Sequence, residues 1–71
     1  MRKGIYQHYK GNFYRVIGEG KHSETLEDLV FYEALYDNPK SKFWIRPLKM
    51  FDEEIEILGD KKKRFIFVRE E

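Results

Sequence analysis

The residues of this chain best suited to chemistry are two histidines, one tryptophan and a set of tyrosines scattered among cations. His22-Ser23-Glu24-Thr25 is the densest polar cluster. As a site, it would use His22 as a base or ligand contact, with Ser23 and Glu24 as hydrogen-bonding groups. Successive strand residues point to opposite faces, so His22 and Ser23 cannot form a base–nucleophile pair unless the chain bends there. As structure, the same four residues make a polar bend whose Ser23 and Thr25 hydroxyls satisfy backbone donors, and this is the simpler reading. His8, His22 and Glu24 have the residue types of a two-histidine, one-carboxylate metal set. A hairpin centred on Gly11–Asn12 would face His8 with residues near Phe13–Arg15, well short of His22. No metal or other cofactor is therefore expected.

Two further sets mix rings with charge. Tyr6, His8, Tyr9, Lys10, Phe13, Tyr14 and Arg15 suit stacking on bases and pairing with phosphates. Trp44 and Arg46 share one face of a strand that ends at Pro47, where Arg46 would lie on or beside the indole. Such a face could accept an extended or proline-rich peptide. Core packing asks for the same aromatics, because a small β-protein must fill its interior with them. Lys61-Lys62-Lys63-Arg64 reads as a solvated turn tip and a weak phosphate signal.

The elements that must position these residues are short. Runs rich in β-branched and aromatic residues predict strands at Gly4–Tyr9, Phe13–Glu19, Leu29–Tyr36, Lys42–Arg46, Glu54–Leu58 and Arg64–Arg69. Lys10-Gly11-Asn12 is a tight turn, Gly18 and Gly20 signal a bulge or bend, and Asp37–Ser41 is a loop around Pro39. Gly59-Asp60 opens a basic turn through Lys63, and Pro47–Asp52 reads as a helical turn. Thr25–Tyr36 also fits a helix capped by Thr25, but Val30-Phe31-Tyr32 favours a strand after Asp28.

Alternation then sorts two faces: Tyr6, His8, Tyr14, Val16, Val30, Tyr32 and Trp44 on one, and Ile5, Tyr9, Phe13, Ile17, Leu29, Phe31, Phe43 and Ile45 on the other. Both are apolar, so the second must be covered, paired in a dimer or left as a binding patch. Ile55, Ile57, Phe65 and Phe67 are the candidates to cover it.

At 71 residues the chain is one domain, 1–71, with a small core. It has no cysteine, which excludes disulfides, thiolate metal sites and a cysteine nucleophile. No apolar run is long enough to span a membrane, and no secretory signal opens the chain, so a cytoplasmic location is expected. A net charge of +1 conceals alternating blocks: basic over 1–22, acidic over 23–37, basic over 38–51, acidic over 52–56 and basic over 60–64. Antiparallel neighbours would pair such blocks across strands.

Several strings together resemble a known family. Tyr6-Gln7-His8-Tyr9-Lys10-Gly11, Tyr14-Arg15-Val16, His22-Ser23-Glu24-Thr25, Val30-Phe31-Tyr32 with Leu35-Tyr36, and Trp44-Ile45-Arg46-Pro47 with Met50-Phe51 are similar to the small bacterial proteins of domain of unknown function 1653. The likeness runs from Gly4 to Phe65. The family carries Gly after the His-Ser-Glu-Thr segment, where this chain has Leu26. The resemblance implies an SH3-like small β-barrel and assigns no activity. The fold expected is therefore all-β, an SH3-like small barrel of five or six short antiparallel strands with one short helical turn.

The function expected is a non-catalytic small binding module. Tyr6, His8, His22, Glu24, Tyr32, Trp44 and Arg46 would surround one concave, partly polar patch that recognises a small ligand, a peptide or nucleic acid. The alternatives are a small enzyme using His22 and Glu24, and a structural homodimer closing over Phe13, Phe31 and Phe43. A pI near 8.0 is modest for a nucleic-acid binder.

Overall fold

Glycine, proline and short polar runs break this chain into strands too brief to be stable alone, so each depends on its neighbours. A computed structural model describes residues 1–71. Its elements in order are β1 (Gly4–His8), β2 (Phe13–Lys21), β3 (Asp28–Ala34), β4 (Phe43–Pro47), α1 (Leu48–Phe51), β5 (Glu54–Ile57), β6 (Asp60–Lys63) and β7 (Phe65–Arg69). The fold is all-β and antiparallel, with one short helix. Residues 25–36 contain a strand and no helix. No helix is long and apolar enough to cross a membrane.

Five strands form one sheet in the order β4-β3-β2-β1-β7, and β5 with β6 makes a separate two-stranded ribbon. The closed barrel expected from the sequence is thus not formed: β4 and β7 are free edges, and there are seven strands rather than five or six. The additional strand is β6, in the segment that reads as a basic turn. Leu58 and Gly59 both take positive φ, of 51° and 85°, as a two-residue hairpin turn between β5 and β6 requires. Lysines 61–63 can then pair back on Glu54–Glu56.

β2 is the backbone of the sheet. It pairs with β1 through Phe13–Val16 and with β3 through Tyr14–Lys21. The β2–β3 register shifts between Val16 and Gly18, leaving Ile17 as the extra residue of a bulge. That bulge bends the sheet and makes one face concave. A second shift, between Ile5 and Tyr6 against β7, bends the other end.

The core fills the concave face. Tyr6, Val16, Val30, Tyr32, Phe51 and Phe65 are buried together, with Tyr14, Trp44, Leu48 and Phe67 packed against them. The first of the two alternating sets therefore faces inward. α1 is a single turn, yet it delivers Phe51 into the middle of this face, where its ring stacks on Phe65 at 4.1 Å and meets Tyr6 and Tyr32 edge-on. Phe65 and Phe67 complete this core and do not cover the second face, as the sequence suggested they would. The second face keeps Phe13, Ile17, Phe43 and Ile45 exposed.

The charge blocks pair between neighbours as alternation requires. Arg15 and Lys42 both meet the buried Glu33, Lys21 meets Asp28, Lys49 meets Glu27, Lys63 meets Asp52 and Arg64 meets Glu53.

Candidate functional site

The inward residues of β2, β3 and β4 converge at the end of the sheet near the β3–β4 loop. Tyr32 sits directly between Val16 and Trp44 in the register, and Arg46 lies opposite Val30. Tyr14, Tyr32, Tyr36, Trp44 and Arg46, with the loop residues Asn38, Pro39 and Lys40, line an open hollow of about 470 Å³. The side chains are fixed by hydrogen bonds. The Tyr14 and Tyr36 hydroxyls are 2.6 Å apart, and Asn38 Nδ2 donates to the Tyr36 hydroxyl at 3.0 Å. Trp44 Nε1 donates to the Ser41 carbonyl at 3.0 Å, and Arg46 Nε donates to the Tyr32 hydroxyl at 3.3 Å. Asn38 Oδ1 also accepts from the Lys40 amide, which holds the loop.

The electrostatics of this hollow are one-sided. Its lining holds two cations, Lys40 and Arg46, and no carboxylate. Neither cation has an acidic partner, so Arg46 does not pair with the acidic block. The Arg46 guanidinium instead lies 5.7 Å from the Phe65 ring centre, rather than on the indole. The Tyr14 hydroxyl is pushed well above the usual phenol range, first by burial and then by its bond to Tyr36. The shift keeps this phenol a neutral donor and acceptor around neutral pH.

His8 adjoins the hollow through its ring contacts with Tyr14 at 6.3 Å and Phe65 at 5.0 Å. Its Nδ1 accepts from the Lys10 amide. Burial, then Arg46, Arg64 and Lys10, depress its pKa. Tyr6 is deeper: it is a core ring whose hydroxyl donates to the Arg2 carbonyl. It borders a different concavity of about 600 Å³ with Met1, Arg2, Leu48, Phe51 and Phe67. That space is larger, but its polar groups are already engaged. Arg2 lies over Phe67 and pairs with Glu70, and Asp52 is held by Lys63. It offers little to orient a ligand.

His22 and Glu24 lie at the opposite end of β2. Eight residues separate Tyr14 from His22, on the order of 25 Å of strand. There His22 organises the β2–β3 turn. Its Nδ1 faces the amides of Glu24 and Thr25 at 3.1 and 3.3 Å, its own amide donates to the Glu27 carbonyl, and its carbonyl accepts from Leu26. The Thr25 hydroxyl accepts from the Glu27 amide. The structure thus brings Tyr32, Trp44 and Arg46 together with His8 beside them, sets Tyr6 beneath in the core, and leaves His22 and Glu24 apart in a polar bend. Tyr36, Asn38, Pro39 and Lys40 are the lining residues that the sequence reading overlooked as a site. Tyr36 shares the parity of Val30, Tyr32 and Ala34, so the alternation pattern contained it, whereas Lys40 is placed by the loop alone.

These features define a small antiparallel β protein with a bent sheet and an aromatic, cationic hollow at one end. The chain belongs to the family described as protein of unknown function DUF1653, whose model matches residues 4–67. It is similar to the crystal structure of a DUF1653 protein from Bordetella bronchiseptica, with a TM-score of 0.92 and 31% identity over 99% of this chain and 90% of that one. No curated protein matches it.

Leu26 has φ 62°, the left-handed region that favours glycine, and its side chain is 67% exposed. The turn is thus made with a residue that resists it.

Proposed function

We propose that this protein is a non-catalytic binding module, one domain over residues 1–71, whose hollow takes a flat ring carrying negative charge. The observation that carries the reading is the company Arg46 keeps: a guanidinium without a carboxylate, set among Tyr14, Tyr32, Tyr36 and Trp44. Rings supply stacking surface, and the unpaired cation supplies a charge-assisted partner for an anion. A proline-rich peptide with basic flanks fits less well, because no acidic residue lines the hollow. Catalysis by His22 and Glu24 is disfavoured by geometry, since the imidazole already serves backbone amides. The strand order, with a bulged β2 shared between β1 and β3, supports the SH3-like reading in an open rather than closed form.

Trp44 is the only tryptophan, so its fluorescence reports on the hollow alone. Titration with adenosine monophosphate and with phenyl phosphate should quench it with roughly millimolar affinity, corresponding to about 4 kcal/mol. Arg46→Gln should weaken both about tenfold. Unchanged Trp44 emission up to tens of millimolar of either compound would overturn the reading.

A further inference from the structure

A second concavity lies on the far side of His8 from Tyr14, and the two share no lining residue. It has a volume of about 480 Å³ and is lined by Gln7, His8, Tyr9, Ile66 and Lys61–Lys63 of the β6 strand. His8 lines it and also packs edge-on against Tyr14 of the first hollow, so one imidazole links the two linings. The ring series is continuous: Tyr9 lies 4.5 Å from His8, and His8 lies 6.3 Å from Tyr14, which meets Tyr32 and Tyr36 edge-on.

The distribution of charge separates these two concavities from the rest of the surface. Neither has a carboxylate in its lining, whereas each of the other three concavities contains at least one of Asp52, Asp28, Glu27 and Glu19. The unpaired cations gather in the same place. Apart from Lys3 and Arg69 near the chain ends, the Lys and Arg residues without a carboxylate partner are Lys10, Lys40, Arg46, Lys61 and Lys62. Arg46 and Lys40 line the first hollow, Lys61 and Lys62 the second, and Lys10 lies 5.8 Å from the ring of Tyr9, which also lines the second. His8 is held below the usual imidazole range by burial first, and then by Arg46, Arg64 and Lys10. The near-neutral net charge conceals this gathering of cations because the others are neutralised by their neighbours.

From this alignment we infer that the two hollows form one track for single-stranded nucleic acid, with bases stacked on the accessible rings of Tyr9, Tyr36 and Trp44 and phosphates held by Lys10, Lys40, Arg46, Lys61 and Lys62. The inference rests on the binding reading of the first hollow and extends it. A single strand fits because its bases are free to stack and its charges repeat along the chain. A duplex would keep its bases paired and offer the rings nothing.

The test is fluorescence anisotropy with labelled octamers of thymidine and of uridine, using the whole chain at two or more salt concentrations. Each phosphate neutralised on a single strand contributes about −0.7 to the slope of log K against log salt, so five cations allow a slope as steep as about −3.5. The octamer should bind at least tenfold more tightly than the monophosphate. The Lys61→Ala/Lys62→Ala double variant, exposed and safe for folding, should flatten the slope by about 1.4 and leave monophosphate quenching of Trp44 unchanged. Trp44→Phe should weaken octamer binding without altering the slope. An octamer that binds no better than the monophosphate, or a salt slope indifferent to Lys61 and Lys62, refutes the track while the single hollow stands. Silence of Trp44 toward the monophosphate as well would remove both. An acidic peptide of equal charge that binds as tightly as the octamer would also overturn the assignment, since the rings would then contribute no selectivity.

Discussion

Truncating Phe51 tests the architecture most directly, because one helical turn exists to place that ring. Phe51 is 1% exposed, stacks on Phe65 at 4.1 Å and contacts Tyr6 and Tyr32 at 5.3 and 5.4 Å between ring centres. Phe51→Ala removes the buried ring and leaves a cavity that neighbouring strands cannot close, which costs about 3–5 kcal/mol. A chain of 71 residues has a total stability of about 4–11 kcal/mol at the usual value per residue. The variant should therefore lose between about a quarter and all of its stability. With an m-value near 1 kcal/mol/M in urea, the midpoint falls by about 3–5 M. The comparison is Phe43→Ala on the opposite face, where the ring is 61% exposed and the loss should stay near 0.5 kcal/mol. Urea melts followed by far-UV circular dichroism, at two protein concentrations, measure both. A Phe43 variant as damaged as the Phe51 variant would refute the division into an inner and an outer face. A concentration-dependent midpoint would reveal that the Phe13–Phe43 face is closed by a second copy.

Three other outcomes follow from particular residues. Leu26→Gly should raise stability by about 0.5–1 kcal/mol, because left-handed backbone penalises a Cβ and the exposed leucine side chain contributes little burial in return; calorimetry measures it. His22→Ala should cost about 1 kcal/mol by freeing the Glu24 and Thr25 amides, with NMR shifts confined to residues near 21–28 and no change in Trp44 quenching. His8, whose pKa is depressed in the fold by burial and by Arg46, Arg64 and Lys10, binds its proton more readily when unfolded. Its contribution is present above about pH 6.5 and is lost as the pH falls through the lower folded value, so stability should decline in that window; His8→Phe should flatten the decline.

How the candidate site could be read from the sequence varies from residue to residue. Tyr32, Trp44 and Arg46 were legible because strand alternation alone assigns them to one face. Tyr36 obeyed the same rule but lay at the limit of its strand, next to a proline-containing loop. His22 and Glu24 were drawn toward the others by residue type. Their distance became visible only when β2 was seen to run nine residues, Phe13–Lys21, and carry them to the far end of the sheet. Lys61–Lys63 read as a turn because charged runs favour solvent; backbone pairing with β5 made them a strand.

By itself the sequence determined the strand breaks, the two faces and the pairing of opposite charge blocks, since these depend on local backbone preference and on a period of two residues. It also carried the family through strings that run nearly the length of the chain. Tertiary structure alone decided that the sheet stays open, that α1 supplies the central core ring, and that unpaired cations gather beside His8. Those outcomes depend on which distant strands become neighbours and on which charges find partners there. No local pattern records that choice, because contact between residues far apart in the chain is fixed only when the whole sheet bends.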